Sequence, residues 1–144
     1  MSDVAGSPAV NHPHAASVVP DARRMQFLPD LFGVSRMLTG ESMVYSFTRH
    51  ACAAYSGGLW EFLELDGKPL YMRQAQQRLT RFAYPGNGFE STVTTDAAGI
   101  IACLMTFSHL SFDDRTDHMA EAFHRLREFA LDHPEVSEIF RAID

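Results

Sequence analysis

At 144 residues, 46 % hydrophobic and 11 % aromatic, the chain suits one domain with an ordinary apolar core. Its net charge of −6 is uneven: residues 21–95 carry 8 Lys+Arg against 7 Asp+Glu, and residues 96–144 carry 4 against 10. That balance argues against a basic nucleic-acid-binding face, and the arginines that interrupt the acids argue against a carboxylate row imitating DNA phosphates.

Residues 1–20 hold Pro8, Pro13 and Pro20 among small polar residues with no helical or strand period. They are expected to form a disordered arm, with a single domain over residues 21–144. The sequence does not open like a secretory leader, and the longest nearly apolar run, Ala97 to Phe107, is too short for a bilayer. A cytoplasmic protein without membrane contact is expected.

Within the domain, Pro29 and Gly33 predict a short helical turn. The segment ESMVYSFTRHACAAYSGG reads as the first full helix, with Val44, Phe47, Ala51 and Tyr55 inward and Gly57-Gly58 as its end. LWEFLEL and KPLYMR read as strands joined at Asp66-Gly67, RLTRFAY as a third and FESTVTT as a fourth. In the fourth, Phe89, Ser91, Val93 and Thr95 share a face. Thr95 or Asp96 is expected to cap a helix that is apolar nearly all round, within which Gly99 permits close packing against the sheet. An amphipathic helix with Met119, Ala122, Phe123, Leu126 and Ala130 inward follows. The last helix opens at Pro134 and turns Val136, Ile139, Phe140 and Ile143 inward. The fold class is α+β: a four-stranded, mostly antiparallel meander sheet packed by one N-terminal helix and about three C-terminal helices.

Catalytic patterns are weak. Gly86-Asn87-Gly88 leads into a strand, position 91 is Ser, and Asp96 would repel a phosphate at the following helix, so the segment reads as a hairpin connection. Cys52 and Cys103 lack metal or redox spacing and read as buried thiols. Asp114, His118, Glu121 and His124 could serve a hydrolase or metal enzyme, but they read as charge on a solvated helix face; a di-iron bundle would need a second Glu-x-x-His. His12 and His14 in the arm make a poor metal site, and His109 and His133 read as caps of helix ends. Trp60 is either a core aromatic alternating with Phe62 or, if exposed, a binding anchor. Arg73, Arg78 and Arg81 could pair with the C-terminal acids or with an acidic partner. No catalytic, cofactor-binding or metal residue is assigned.

The segments RRMQFLPDLFG, VYSFTRHACAAYSGGLWEFLEL, LYM, GNGFESTVTTDAAGI and HPEVSEIFRAID resemble, in order and spacing, the KlcA/ArdB antirestriction proteins of plasmids and mobile elements, nearer the KlcA branch. The resemblance runs from Arg23 to Asp144. It implies inhibition of host type I restriction-modification systems, which spares incoming DNA from cleavage. It also implies a monomer that works by non-enzymatic contact with the restriction complex or an associated host factor, without DNA mimicry, cofactor or small-molecule substrate. Direct nucleic-acid binding is not expected on this view. The segments suggest Arg24, Glu41, Trp60 and Asp144 as partner contacts, with Asn87 beside them. Their ordinary structural roles would be solvated charge, helix start, core packing, C-terminus and a left-handed turn, in that order. The alternative is a plasmid-encoded DNA-binding regulator reading DNA through the arginine-bearing strands, with salt-dependent binding.

Overall fold

The computed structural model describes residues 15–144. The chain runs β1 (Ser17–Val18), a 3-10 turn (Asp21–Arg23), α1 (Arg24–Phe32), α2 (Met37–Ala51), β2 (Trp60–Leu65), β3 (Lys68–Gln74), β4 (Leu79–Tyr84), β5 (Phe89–Thr94), α3 (Thr95–Ser111), α4 (His118–Ala130) and α5 (Val136–Ile143). The α+β class stands. The strands, however, divide into an antiparallel three-stranded sheet, β1-β2-β3, and a separate β4-β5 hairpin, instead of one four-stranded meander.

The division has a physical cause. Met72 of β3 turns its amide N–H and carbonyl away from β2 toward Cys103 Sγ of α3, at 3.5 and 3.7 Å. A Cβ built on Gly99 would lie 2.5 Å from the Met72 carbonyl oxygen and 2.8 Å from Arg73 Cβ. Helix α3 therefore occupies the edge of β3 that β4 would need. Between the two strands the chain is held off the sheet by its own caps: the Gln77 amide donates to Gln74 O, and Thr95 Oγ donates to Gln76 O while accepting from Arg78 N.

Most of the expected arm, residues 1–14, lies outside the described residues. Its end does not match the expectation of disorder: Ser17 and Val18 pair with Glu64 and Leu63, Val19 donates to Phe62 O, and Val19 is buried. Apolar residues after the prolines supply a strand that the flanking composition hides.

Other elements shift at their ends. Helix α1 is longer than the expected turn and carries Pro29 inside it; the chain stops helical winding at Gly33, φ 85°. Helix α2 begins at Met37, so Glu41 sits within the helix and not at its start, and it ends at Ala51, before Tyr55. Its buried stripe is Gly40, Val44, Thr48 and Ala51, and Gly57-Gly58 belong to the following loop. Asp66 and Gly67, φ 52° and 79°, form the expected tight hairpin turn, since both central residues of that turn need positive φ. Thr94 rather than Thr95 or Asp96 caps α3, its hydroxyl accepting from Ala97 N at 3.1 Å. Helix α3 is buried along most of its length and packs on β3, α2, α4 and α5. Helix α5 begins at Val136, two residues after Pro134, and buries Ile139 and Ala142.

Asp96, in the first turn of α3, gathers three elements. Its Oδ1 accepts from Tyr71 Oη at 2.6 Å and Arg73 at 2.7 Å, and its Oδ2 from His133 Nε2 at 2.8 Å. His133 thus reaches across to α3 and does not cap its own helix end. Its Nδ1 accepts from Glu135 N at 2.9 Å, which leaves Nε2 as the nitrogen that donates to Asp96. Burial alone would raise the Asp96 carboxyl; the bonds from His133, Tyr71 and Arg73 outweigh it and hold the group down to about 2. Burial pushes the Cys103 thiol up to about 12, so it stays protonated and can donate to Met72 O while accepting from Met72 N.

Two outcomes follow. Gly99→Ala sets a methyl against backbone that has nowhere to go, so despite alanine's higher helix propensity it lowers stability by about 1–3 kcal/mol in urea unfolding. Asp96 binds a proton more readily in the unfolded chain than in the folded one, so its contribution is present above about pH 4 and is lost as pH falls through the folded value near 2. Asp96→Asn removes about 2 kcal/mol at pH 7 and flattens the loss of stability between pH 4 and 2, measured by urea unfolding across that range.

Candidate partner-contact residues

Three of the four candidates meet at one end of the three-stranded sheet. Strand β2 brings Trp60 inward at 7 % exposure, and α1 and α2 close over it. Its indole meets Tyr45 edge-on at 5.1 Å between centroids and Tyr55 at 6.0 Å, and Nε1 donates to Tyr55 Oη at 3.2 Å. Tyr45 Oη in turn donates to Glu41 Oε2 at 2.9 Å. Burial first, then the Glu41 hydrogen bond, raises the Tyr45 phenol well above its ordinary range. Arg24 lays its guanidinium 4.3 Å from the Phe62 ring centroid and donates to Trp60 O at 3.3 Å. Glu41, Tyr45, Trp60 and Arg24 are thus one connected set, in which Trp60 is the core aromatic and Arg24 is half-buried, not a solvated charge. Tyr45 is the member that sequence reasoning missed. Its signal was the four-residue step from Glu41, which places both on one helix face.

Asp144 is apart from that set. It is exposed after α5 and lines a cleft with Asn87. Asn87 does not adopt the left-handed turn conformation; Gly88, φ 74°, does. The Asn87 carboxamide instead spans two elements, donating to Ala142 O of α5 and accepting from Phe89 N at 3.0 Å.

The alternative clusters are committed to the fold. Asp114 is buried and accepts from Thr116 Oγ, from Thr116 N at 2.9 Å and from Met119 N at 2.7 Å, with Arg36 3.1 Å away. The Thr116 hydroxyl and the Met119 amide together hold its carboxyl below the ordinary carboxylate range. His118 Nε2 lies 3.1 and 3.0 Å from Asp30 O and Leu31 O, which ties the start of α4 to the end of α1. Glu121 and His124 are exposed beyond them. Among the described residues, no group of three or more His, Cys, Asp or Glu is placed to hold a metal. Of the arginines on the strands, Arg73 is shared between Glu61 at 3.0 Å and Asp96, and Arg81 is paired with Glu90. No helix among the described residues is long and apolar enough to cross a membrane.

A family model described as Antirestriction protein matches residues 53–144. Two Escherichia coli antirestriction proteins named KlcA are similar along the whole chain. One is 36 % identical over 93 % of this chain and 97 % of its own length; the other is 38 % identical over 100 % of both. YafX of Escherichia coli K12 is 34 % identical over 88 % of this chain and 85 % of its own. A solved chain from the KlcA and ArdB proteins aligns with a TM-score of 0.81 and 38 % identity over 92 % of this chain and 96 % of that one. Those proteins are described as having a novel fold and antirestriction activity against Type I DNA restriction systems in vivo but not in vitro. By sequence along its full length and by fold, the chain belongs to the antirestriction protein family.

Proposed function

We propose that this chain protects incoming DNA by inhibiting host type I restriction inside the cell, as a non-enzymatic monomer that makes protein contacts. The observation that carries the reading is the near-complete overlap, in sequence and fold, with relatives described as having that activity. The contrast between activity in vivo and none in vitro in those relatives favours a contact that needs a further host component over direct blockade of the nuclease. DNA mimicry is disfavoured by the acids themselves. Glu61, Glu64, Asp96, Asp114 and Glu135 each accept from a guanidinium, hydroxyl or amide of the same chain, which leaves no free carboxylate row among them. DNA reading is disfavoured by the pairing of Arg23, Arg36, Arg73 and Arg81 with carboxylates.

Of the four candidate contacts, Arg24, Glu41 and Trp60 then serve as framework, and Asp144 is the one that stands exposed to a partner. The test is plating of unmodified phage on a host with an active type I system, against a matched host lacking the restriction subunit. Expression of the chain raises plating toward the control, while purified chain leaves cleavage by purified restriction enzyme unchanged. Unchanged plating with soluble, folded chain present sinks the reading. In the same assay Trp60→Phe keeps protection, whereas Trp60→Ala destabilises by about 3–5 kcal/mol and loses protection together with soluble protein, read by thermal melting.

A further inference from the structure

Two clefts of about 320 and 400 Å³ share Phe47 and Tyr84 and form a groove, mostly apolar in the second cleft and mixed apolar and polar in the first. Leu104, Met105 and Phe123 line the first cleft beside Ser108 and His109, and Phe112, 84 % exposed among the described residues, stands in the same lining. The groove's walls are the last turns of α2, the last two turns and cap of α3, the end of α5 and Phe123 of α4, so the C-terminal turns of three helices lie along it. Each such end carries roughly half a negative charge. Asp144 adds a full one, and the linings hold His50 and His109 but no Lys or Arg.

We propose that this groove receives a cationic amphipathic helix of the protein through which antirestriction acts. Apolar side chains of the helix sit against Phe47, Tyr84 and Phe112, and its Lys or Arg residues meet the three helix ends and Asp144. This is the helix-in-groove mode, with apolar anchors supplying affinity and flanking charge supplying orientation. The proposal rests on the contact reading above and names the chemistry of the contact.

The probe is a fluorescein-labelled amphipathic peptide of about 18 residues, five helical turns, with Leu and Phe on one face and Lys on the other. Two controls replace Lys by Glu, or Leu and Phe by Ser. Anisotropy titration at low salt is expected to show binding of the Lys peptide alone. Phe112→Ser removes the exposed anchor, and Ser108→Lys places a cation in the wall at a half-buried site where it also suits a helix C-terminus. Each is expected to weaken binding about tenfold with the melting temperature unchanged. Equal binding of the Lys and Glu peptides, no binding of any peptide, or indifference to both substitutions overturns the proposal. A concentration-dependent dimer that Phe112→Ser abolishes also overturns it, by assigning the groove to a second copy. In the plating assay, protection by the wild type that both variants retain removes the groove and leaves the antirestriction reading standing. Failure of the wild type to protect falls on that reading, and the peptide titration still decides the groove.

Discussion

Helix α3 can lie on the open edge of β3 only because position 99 carries no side chain. The Met72 carbonyl and the Arg73 Cα and Cβ occupy the space that one methyl would take. The consequences spread from there. An exposed sheet edge is an invitation to pair with another chain; here a helix covers it, and Cys103 meets the amide and carbonyl that Met72 turns outward. With that edge closed, the chain after β3 starts a second, independent hairpin. Helix α3 in turn becomes the surface against which α2, α4 and α5 are laid.

The first turn of the same helix carries the charge that locks these layers. Asp96 is positioned by the α3–β3 contact, so it meets Tyr71 and Arg73 on one side and His133 on the other. A carboxylate buried without partners would take up a proton. With three donors it stays ionised, and the linker between α4 and α5 is fixed to the sheet through His133. Glu135 continues the connection by accepting from Thr94 N and Thr94 Oγ at the end of β5. Three of the ten acids in the last third, Asp96, Asp114 and Glu135, are therefore internal wiring.

Periodicity carried the reading where one face decides an element. The alternation of Phe89, Ser91, Val93 and Thr95, the inward stripe of α4 and the all-round apolar character of α3 each correspond to the observed burial. Gly99 was legible for the same reason, since a glycine inside a buried helix needs a close neighbour to justify it. The separation of the two sheets was not legible. Four consecutive strands with turn signals look like a meander whether or not the third finds the second, and the deciding contact joins Gly99 and Cys103 to Met72 across 27 to 31 residues of sequence. The candidate set was legible as single positions but not as a group. Nothing local says that Arg24, Glu41 and Trp60 converge, because Tyr45 and Tyr55 make the connection and both look like ordinary helix aromatics. Asp114 and His118 read as charge on a solvated helix face, whereas Asp114 is buried and bonded to the Met119 amide and His118 reaches the carbonyls of Asp30 and Leu31, contacts that lie outside any local pattern.

The match to the family model begins at residue 53 and so contains β2 through α5, which is everything that the α3–β3 contact organises. Helices α1 and α2 lie before it, yet the KlcA relatives are similar across them as well. Their role follows from what they cover. Phe27 of α1 stacks on Phe62 at 4.3 Å, and Tyr45 of α2 meets Trp60, so together they close the sheet end that the family-matched region leaves open. Helix α2 then contributes Phe47 and its own C-terminal end on the far side, next to the ends of α3 and α5. A single element thus completes the core at one end and builds the exposed apolar end at the other. That dual placement makes the N-terminal helices part of the core and not an appendage to it.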